Sequence, residues 1–492
     1  MYTNAKSFIS LLLLFLLSYS AVAQKIKVTY NSPSGKEVFT GNVFLYLSKD
    51  NKSPKDGDVG TSYFPCYRIL VKNIKPGQSV LFDDAAVSFP EPLSDIERGD
   101  YYVQAVWDKN LGGRAISNSP NNLYNKAIKV KLTKNTNQSF SLQCTEVVPE
   151  PSFAETEHSK EIKTPSKLLS AFYKRPTSIN AAVVLPKEYS QQPQRRFPVL
   201  YQVFGYGGDY HVFSGSDSSS NLIDTTACIR VYLDGNCPLG HSVYANSENN
   251  GPWGDALTQE LIPEIEKRFR CNEARLLTGH SSGGWTVLWL QTHYPKVFTA
   301  CWSSSPDPVD FRNFQQINLY GDKSMFYDKD SALRMTATVA GRIPWASMKQ
   351  VYRMENVISR GEQMRSFDAV FSQRSSDGTP GELCNYKTGE IDTATVSHWK
   401  AYDISLYLRT HWSELKPDLQ GKIRVSVGEG DNFLLNHAVH LLDEEMQKLA
   451  SGFVFGYYPG DHFTVSSPEY RKAGYAFLQQ KYHEFMLQHK QY

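Results

Sequence analysis

Gly279-His280-Ser281-Ser282-Gly283 sets a serine between two glycines, just after the apolar pair Leu276-Leu277 and just before a helix-like stretch over 285–293. Strand, sharp turn and helix in that order form the setting in which a serine hydroxyl is lifted out as a nucleophile. The reason is steric. The serine sits at a strained backbone angle, the strand crowds the helix, and only glycine-sized residues fit on either side. Ser281 is therefore the candidate nucleophile. Ser282 is the lesser candidate, because the glycines do not flank it symmetrically.

A serine needs a base to take its proton, and an imidazole base needs a carboxylate to fix its tautomer and stabilise its cation. The chain order expected for this arrangement is serine, acid, histidine. Downstream, the apolar run 423–427 ends in Gly428-Glu429-Gly430-Asp431-Asn432-Phe433. Asp431 is the preferred acid and Glu429 the alternative. The run 453–457 leads to Gly460-Asp461-His462, where His462 lies in a loop past a strand end. His437 and His440 fall in an expected helix, His483 and His489 near the C-terminus. His280 is expected to point away from the nucleophile. A histidine base works only when neutral, so activity is expected to fall below about pH 6 to 7. Full activity at pH 4 contradicts such a base.

The tetrahedral intermediate of acyl transfer carries a full negative charge on oxygen, which backbone N–H groups can hold. Ser282 N–H, next after the nucleophile, is one expected donor. The glycine-rich loop Gly205-Tyr206-Gly207-Gly208 follows the apolar run 198–204. It offers Tyr206 N–H as the second donor, with Gly207 as the alternative. A phosphate loop is disfavoured, since neither the P-loop lysine nor G-x-G-x-x-G is present. Neither C-x-x-C nor His-x-x-x-His spacing occurs, so a metal site has weak support in the sequence.

The elements that must position these residues change character along the chain. Over 24–146, short strand-like runs separated by turns predict a small β-sandwich. Val43-Phe44-Leu45-Tyr46-Leu47 and Ala127-Ile128-Lys129-Val130-Lys131-Leu132 are examples. The sandwich is read as a packing module, with glycan contact as the alternative. Residues 147–167, charged and proline-containing, read as a linker. Over 168–492, apolar runs at 181–185, 198–204, 228–233, 276–278, 298–301, 423–427 and 453–457 alternate with helical patterns. That is how a sheet buried on both faces reads. A helix is predicted over 255–270, kinked or shortened by Pro263. An inserted region over about 305–416 carries candidate helices at 331–340, 348–358 and 363–371, and is read as a cap over the site or an extra layer away from it.

The first 23 residues have the form of a signal peptide. Lys6 precedes an almost unbroken apolar run, and Ala21-Val22-Ala23 is a small-x-small cleavage site. That run is shorter than the ~20 residues that span a bilayer. The chain is thus expected to be exported, to the periplasm or the medium, with no integral membrane segment after cleavage. Seven cysteines leave an odd thiol, and Cys228 and Cys237 are the nearest candidates for a bridge. A net charge of +2 gives no electrostatic ground for a nucleic-acid partner.

At these residues the chain resembles the putative-esterase (esterase D-like) family of α/β-hydrolases. The likeness rests on 198–208, 253–270, 279–284, 428–433 and 460–462. The family includes feruloyl and acetylxylan esterases, S-formylglutathione hydrolases, siderophore esterases and mycolyltransferases. The resemblance implies acyl transfer through a covalent acyl-serine without metal or organic cofactor, with Ser281, Asp431 and His462 as the triad. The fold it implies is a mostly parallel sheet with helices on both faces and a helical insertion. The inserted region is longer than compact members carry, and the N-terminal module lies outside the shared part. Export with an appended β-module tilts the expected substrate towards acylated glycans. The alternatives are an acyltransferase using the same triad and a catalytically silent glycan-binding protein.

Overall fold

The computed structural model describes residues 25–31, 37–110, 113–133, 139–217, 219 and 221–489. The signal-peptide expectation over 1–23 lies outside them.

The N-terminal part is two sheets around one apolar core. In the smaller, Lys25–Tyr30 lies between Val80–Phe82 and Ser139–Cys144. Its alternation is strict, with Ile26, Val28 and Tyr30 buried. In the larger, Phe39–Ser48 lies between Cys66–Ile74 and Gly99–Asp108. Trp107 fills the space between the sheets, its ring 4.5 Å from Tyr30 and 4.9 Å from Phe39. Residues 43–47 do not alternate; all five are buried. Their second face is covered by a helix from the inserted region, which brings Met354, Val357 and Ile358 against Phe44, Tyr46 and Cys66.

The catalytic part is built on eight strands: β1 (Ser159–Pro165), β2 (Ser178–Val184), β3 (Phe197–Val203), β4 (Ile229–Asp234), β5 (Cys271–His280), β6 (Ala300–Ser304), β7 (Ile423–Gly428) and β8 (Val454–Tyr458). Their spatial order is β1-β2-β4-β3-β5-β6-β7-β8. β2 runs antiparallel to β1 and β4, while the pairs from β4 to β8 are all parallel. Every residue of β6 and β7 is buried, as apolar strands covered on both faces must be. Among the described residues no helix is long and apolar enough to cross a membrane.

β1 corrects the reading of 147–167 as a linker. Glu146–Val147 already pairs with Leu123–Tyr124, and the sheet begins at Ser159. The strand is at the sheet edge and keeps Lys160, Glu161 and Lys163 beside buried Ile162. Charges on an edge strand deter pairing with another chain, and they also disguise the strand in the sequence.

Three further expectations change. Residues 331–340 are not helical: Met335–Val339 pairs with Ile343–Ser347 in a hairpin, with Ala340 and Gly341 at positive φ in its turn. β-Branched Thr336, Thr338, Val339 and Ile343 favour that outcome. Pro263 does not limit its helix to a short piece: the helical run extends from Trp253 to Arg268, with a π-helical turn, Leu257–Leu261, just before the proline. Cys228 and Cys237 are not bridged, and all seven cysteines are free and buried. The two belong to separate apolar clusters on opposite faces of the central sheet. Burial pushes their thiols up to about 11 and about 12, away from the reactive thiolate.

The inserted region also carries helices α2 (Met348–Ile358) and α3 (Met364–Phe371), which follow α1 (Ser282–His293) in the chain. Just past α2, Arg360 reaches the end of the Gly99–Asp108 strand. Its Nη2 and Nε donate to Asp108 at 2.7 and 2.8 Å, both residues being almost fully buried. Arg360 Nη1 also donates to Gly113 and Pro238 carbonyls, so one guanidinium joins the N-terminal module, the insertion and a hairpin turn of the catalytic part. Asp108→Asn leaves that cation without its counter-charge. The expected cost is about 3–5 kcal/mol of stability. Urea denaturation followed by fluorescence measures it, and a loss below about 1 kcal/mol contradicts the role.

Candidate active site

Ser281 sits where β5 gives way to α1, at φ 60° and ψ −125°. A non-glycine residue at positive φ is strained, and the surrounding backbone holds it there. Ser281 N–H donates to Ser304 O at 3.0 Å, and Ser281 O accepts from Trp285 N–H at 3.0 Å. The flanking glycines are required by close approach. A Cβ on Gly279 would lie 2.3 Å from Gly283 O, and one on Gly283 would lie 2.1 Å from Val203 O.

The candidate acid and base lie in the turns after β7 and β8. Asp431 is fully buried, and its Oδ1 accepts the N–H of Phe433 at 2.9 Å. Its Oδ2 lies 2.7 Å from Nδ1 of buried His462. A carboxylate can only accept here, so the imidazole carries its proton on Nδ1 and leaves Nε2 as an acceptor. His462 N–H donates to Asn432 Oδ1 at 3.0 Å, and Asn432 Nδ2 donates to Thr338 O at 2.9 Å. The Met335–Val339 strand thereby clasps the turn that holds the acid. Phe433 packs edge-on against the imidazole, ring centres 4.9 Å apart.

Ser281 and His462 open onto one cavity of about 480 Å³. Gly205 and Tyr206 line it too, from the loop after β3, and a Cβ on Gly205 would stand 3.1 Å from Ser281 Cβ. Ser282, at the first position of α1, has no intrahelical acceptor for its N–H. Its hydroxyl accepts from Gln363 Nε2 at 3.4 Å. Gly207, at φ 74°, turns the loop. The Tyr206 hydroxyl donates to Glu362, and the Arg114 guanidinium lies 4.8 Å over its ring.

Two sequence expectations are corrected here. Glu429 does not reach His462; its carboxylate is 3.2 Å from His440 Nε2 at the surface. His280 does not point away. It lines the same cavity, its ring centre 4.5 Å from that of His462 and its Nδ1 2.8 Å from Ser304 Oγ. Burial, with the His462 charge adding to it, pushes His280 down to about 4. It therefore stays neutral across the ordinary range of histidine titration, and presents no second cation to His462. His437 and His440 lie on the helix Asn436–Lys448.

Of the two readings of the inserted region, the cap over the site fits the structure: Trp345, Val351, Gln363 and Phe367 line the cavity. Sequence reasoning missed the wall formed by the turn of residues 58–61 in the N-terminal module. Adjacency to Ser281 was a usable signal for His280; no local pattern marks the turn. Among the described residues no cluster of side chains is arranged to hold a metal ion.

A strained serine between strand and helix, with a carboxylate-bound imidazole on the same cavity, defines a hydrolase of the α/β type. The chain belongs to the putative esterase family, whose pattern it matches over residues 174–462, and it is a carboxylic-ester hydrolase. Solved structures give weaker likenesses. A ferulic acid esterase is 17% identical, covering 66% of this chain and 98% of its own, with a TM-score of 0.40. The substrate-bound fluorophosphonate-binding serine hydrolase F of Staphylococcus aureus is 14% identical, with 65% and 98% covered and a TM-score of 0.40. An S-formylglutathione hydrolase from Agrobacterium tumefaciens is 14% identical, with 66% and 94% covered and a TM-score of 0.39. No curated protein sequence matches the chain.

Proposed function

We propose that the protein is an exported serine esterase that removes acyl groups from carbohydrates through an acyl-serine intermediate. The observation that carries the mechanism is the 2.7 Å contact between Asp431 and His462 Nδ1, on the cavity that Ser281 also lines. With its Nδ1 proton committed to Asp431, His462 takes the Ser281 proton on Nε2 as Oγ attacks the ester carbonyl. The oxyanion that forms accepts from Ser282 N–H and from Tyr206 N–H, or Gly207 N–H in its place. Each such donor is worth about 3 kcal/mol in the transition state. His462 then gives its proton to the departing alcohol, and water attacks the acyl-serine by the same route in reverse.

The carbohydrate part of the reading is supported by the signal-peptide-like start, which favours export to the periplasm or the medium, and by the appended β-module. Aromatic side chains around the cavity, among them Trp345, Phe367, Phe433 and Phe463, give flat apolar surface for a ring. The test is a panel of acetylated and feruloylated oligosaccharides beside simple nitrophenyl esters, with released acid measured. Specificity constants for sugar esters at or above those for nitrophenyl esters are expected. Turnover of nitrophenyl esters alone overturns the carbohydrate assignment.

A further inference from the structure

The cavity that holds Ser281 and His462 is closed on one side by a segment from outside the catalytic unit. Asp58, Val59, Gly60 and Thr61 form a turn of the N-terminal module, and all four line that cavity. The turn is held in place. Gly60 N–H donates to Met354 Sδ at 3.1 Å, and Gly60 O accepts from Gln350 Nε2 at 2.9 Å. Gly60 lies at φ +91°, where a Cβ would stand 3.2 Å from Val351 Cγ1. Both partners belong to α2, which is itself fixed to the N-terminal sheet. Arg68 Nε donates to Val357 O at 2.8 Å, and Arg353 Nη2 donates to Pro90 O at 3.0 Å. At a second point the module touches the loop beside Ser281, where Arg114 covers the Tyr206 ring.

Asp58, Asp307 and Glu355 line the cavity, and among the described residues no lysine or arginine does. Burial pushes Glu355 up to about 8 and raises Asp307 as well, so this buried pair holds less negative charge than its carboxyls would in water. Asp58 is the exposed member of the three.

We propose that the Asp58–Thr61 turn is a wall of the substrate site, limiting the length of the ester accepted and selecting against esters whose far end is anionic. The N-terminal module is then a part of the binding site and not a spacer. The inference rests on Ser281 being the nucleophile.

The test compares wild type, Asp58→Asn and Thr61→Trp in steady-state kinetics on ester pairs that differ in one feature. 4-Nitrophenyl hexanoate against the 4-nitrophenyl half-ester of adipic acid varies charge on the acyl side. 4-Acetoxybenzamide against 4-acetoxybenzoate varies it on the alcohol side. 4-Nitrophenyl acetate against hexanoate varies length. Asp58→Asn is expected to raise kcat/KM of the anionic member relative to its neutral partner by about fivefold in at least one pair, through KM, as loss of one nearby solvent-screened charge implies. Thr61→Trp is expected to lower the hexanoate-to-acetate ratio by about fivefold, again through KM, because the added ring occupies the space of the chain. Ratios within about twofold of wild type in both variants overturn the proposal. So does a proportional fall of kcat on every ester, which is the mark of a purely structural role. Wild type inactive on all the esters is a separate result: it overturns the catalytic reading, and this inference with it.

Discussion

Ser281→Ala is expected to lower ester turnover by on the order of a million-fold, leaving only what the oxyanion donors and substrate binding contribute. The change removes one oxygen. Backbone strain at φ 60° is much the same for alanine as for serine, and the hydrogen bonds that hold the turn are made by backbone atoms. Folding should therefore be almost unaltered, and the loss should appear in kcat. Initial rates on a nitrophenyl ester, with circular dichroism of both proteins, check this. Residual activity above about 1% of wild type removes Ser281 from the reaction.

Asp431→Asn should cost about 10⁴-fold in kcat, through the tautomer of His462. Oδ1 of Asp431 accepts Phe433 N–H, and an asparagine would keep its carbonyl oxygen there. Its NH2 would then face Nδ1 of His462, where Asp431 now accepts a hydrogen bond. An amide N–H facing Nδ1 forces the ring proton onto Nε2, the nitrogen that has to take the serine proton. Glu429→Gln offers the contrast. Its carboxylate faces His440 at the surface, and a change of no more than about twofold is expected, as for surface groups away from a site. Comparable losses in the two variants contradict the assignment of the acid. Steady-state kinetics on one ester suffice for the comparison.

The candidate groups were legible because each sits in a local pattern. Glycines flank Ser281, and both Asp431 and His462 lie just past the end of an apolar run. All seven apolar runs read as sheet strands overlap β2 to β8. What the sequence hid lies in contacts between distant segments. β1 carries three charges because it is an edge strand, so its composition is that of a linker. The strand Met335–Val339 reads as helix until its partner Ile343–Ser347 is known. The run 43–47 carried a clue of its own. Five consecutive apolar residues do not suit a sheet with one wet face, and the missing cover was α2, some three hundred positions later. Nothing local announces that the turn of residues 58–61 lines the cavity that Ser281 also lines, since that depends on how α2 seats the N-terminal module.

Covalent capture by a fluorophosphonate ester tests the central claim most directly. Attack by the activated serine oxygen on phosphorus expels fluoride and leaves a stable phosphonyl-serine, which peptide mass spectrometry locates. The account predicts one adduct per chain, on Ser281, formed in step with the loss of esterase activity and absent in Ser281→Ala. An adduct on another residue that tracks the loss of activity, or full inhibition with Ser281 unmodified, contradicts it.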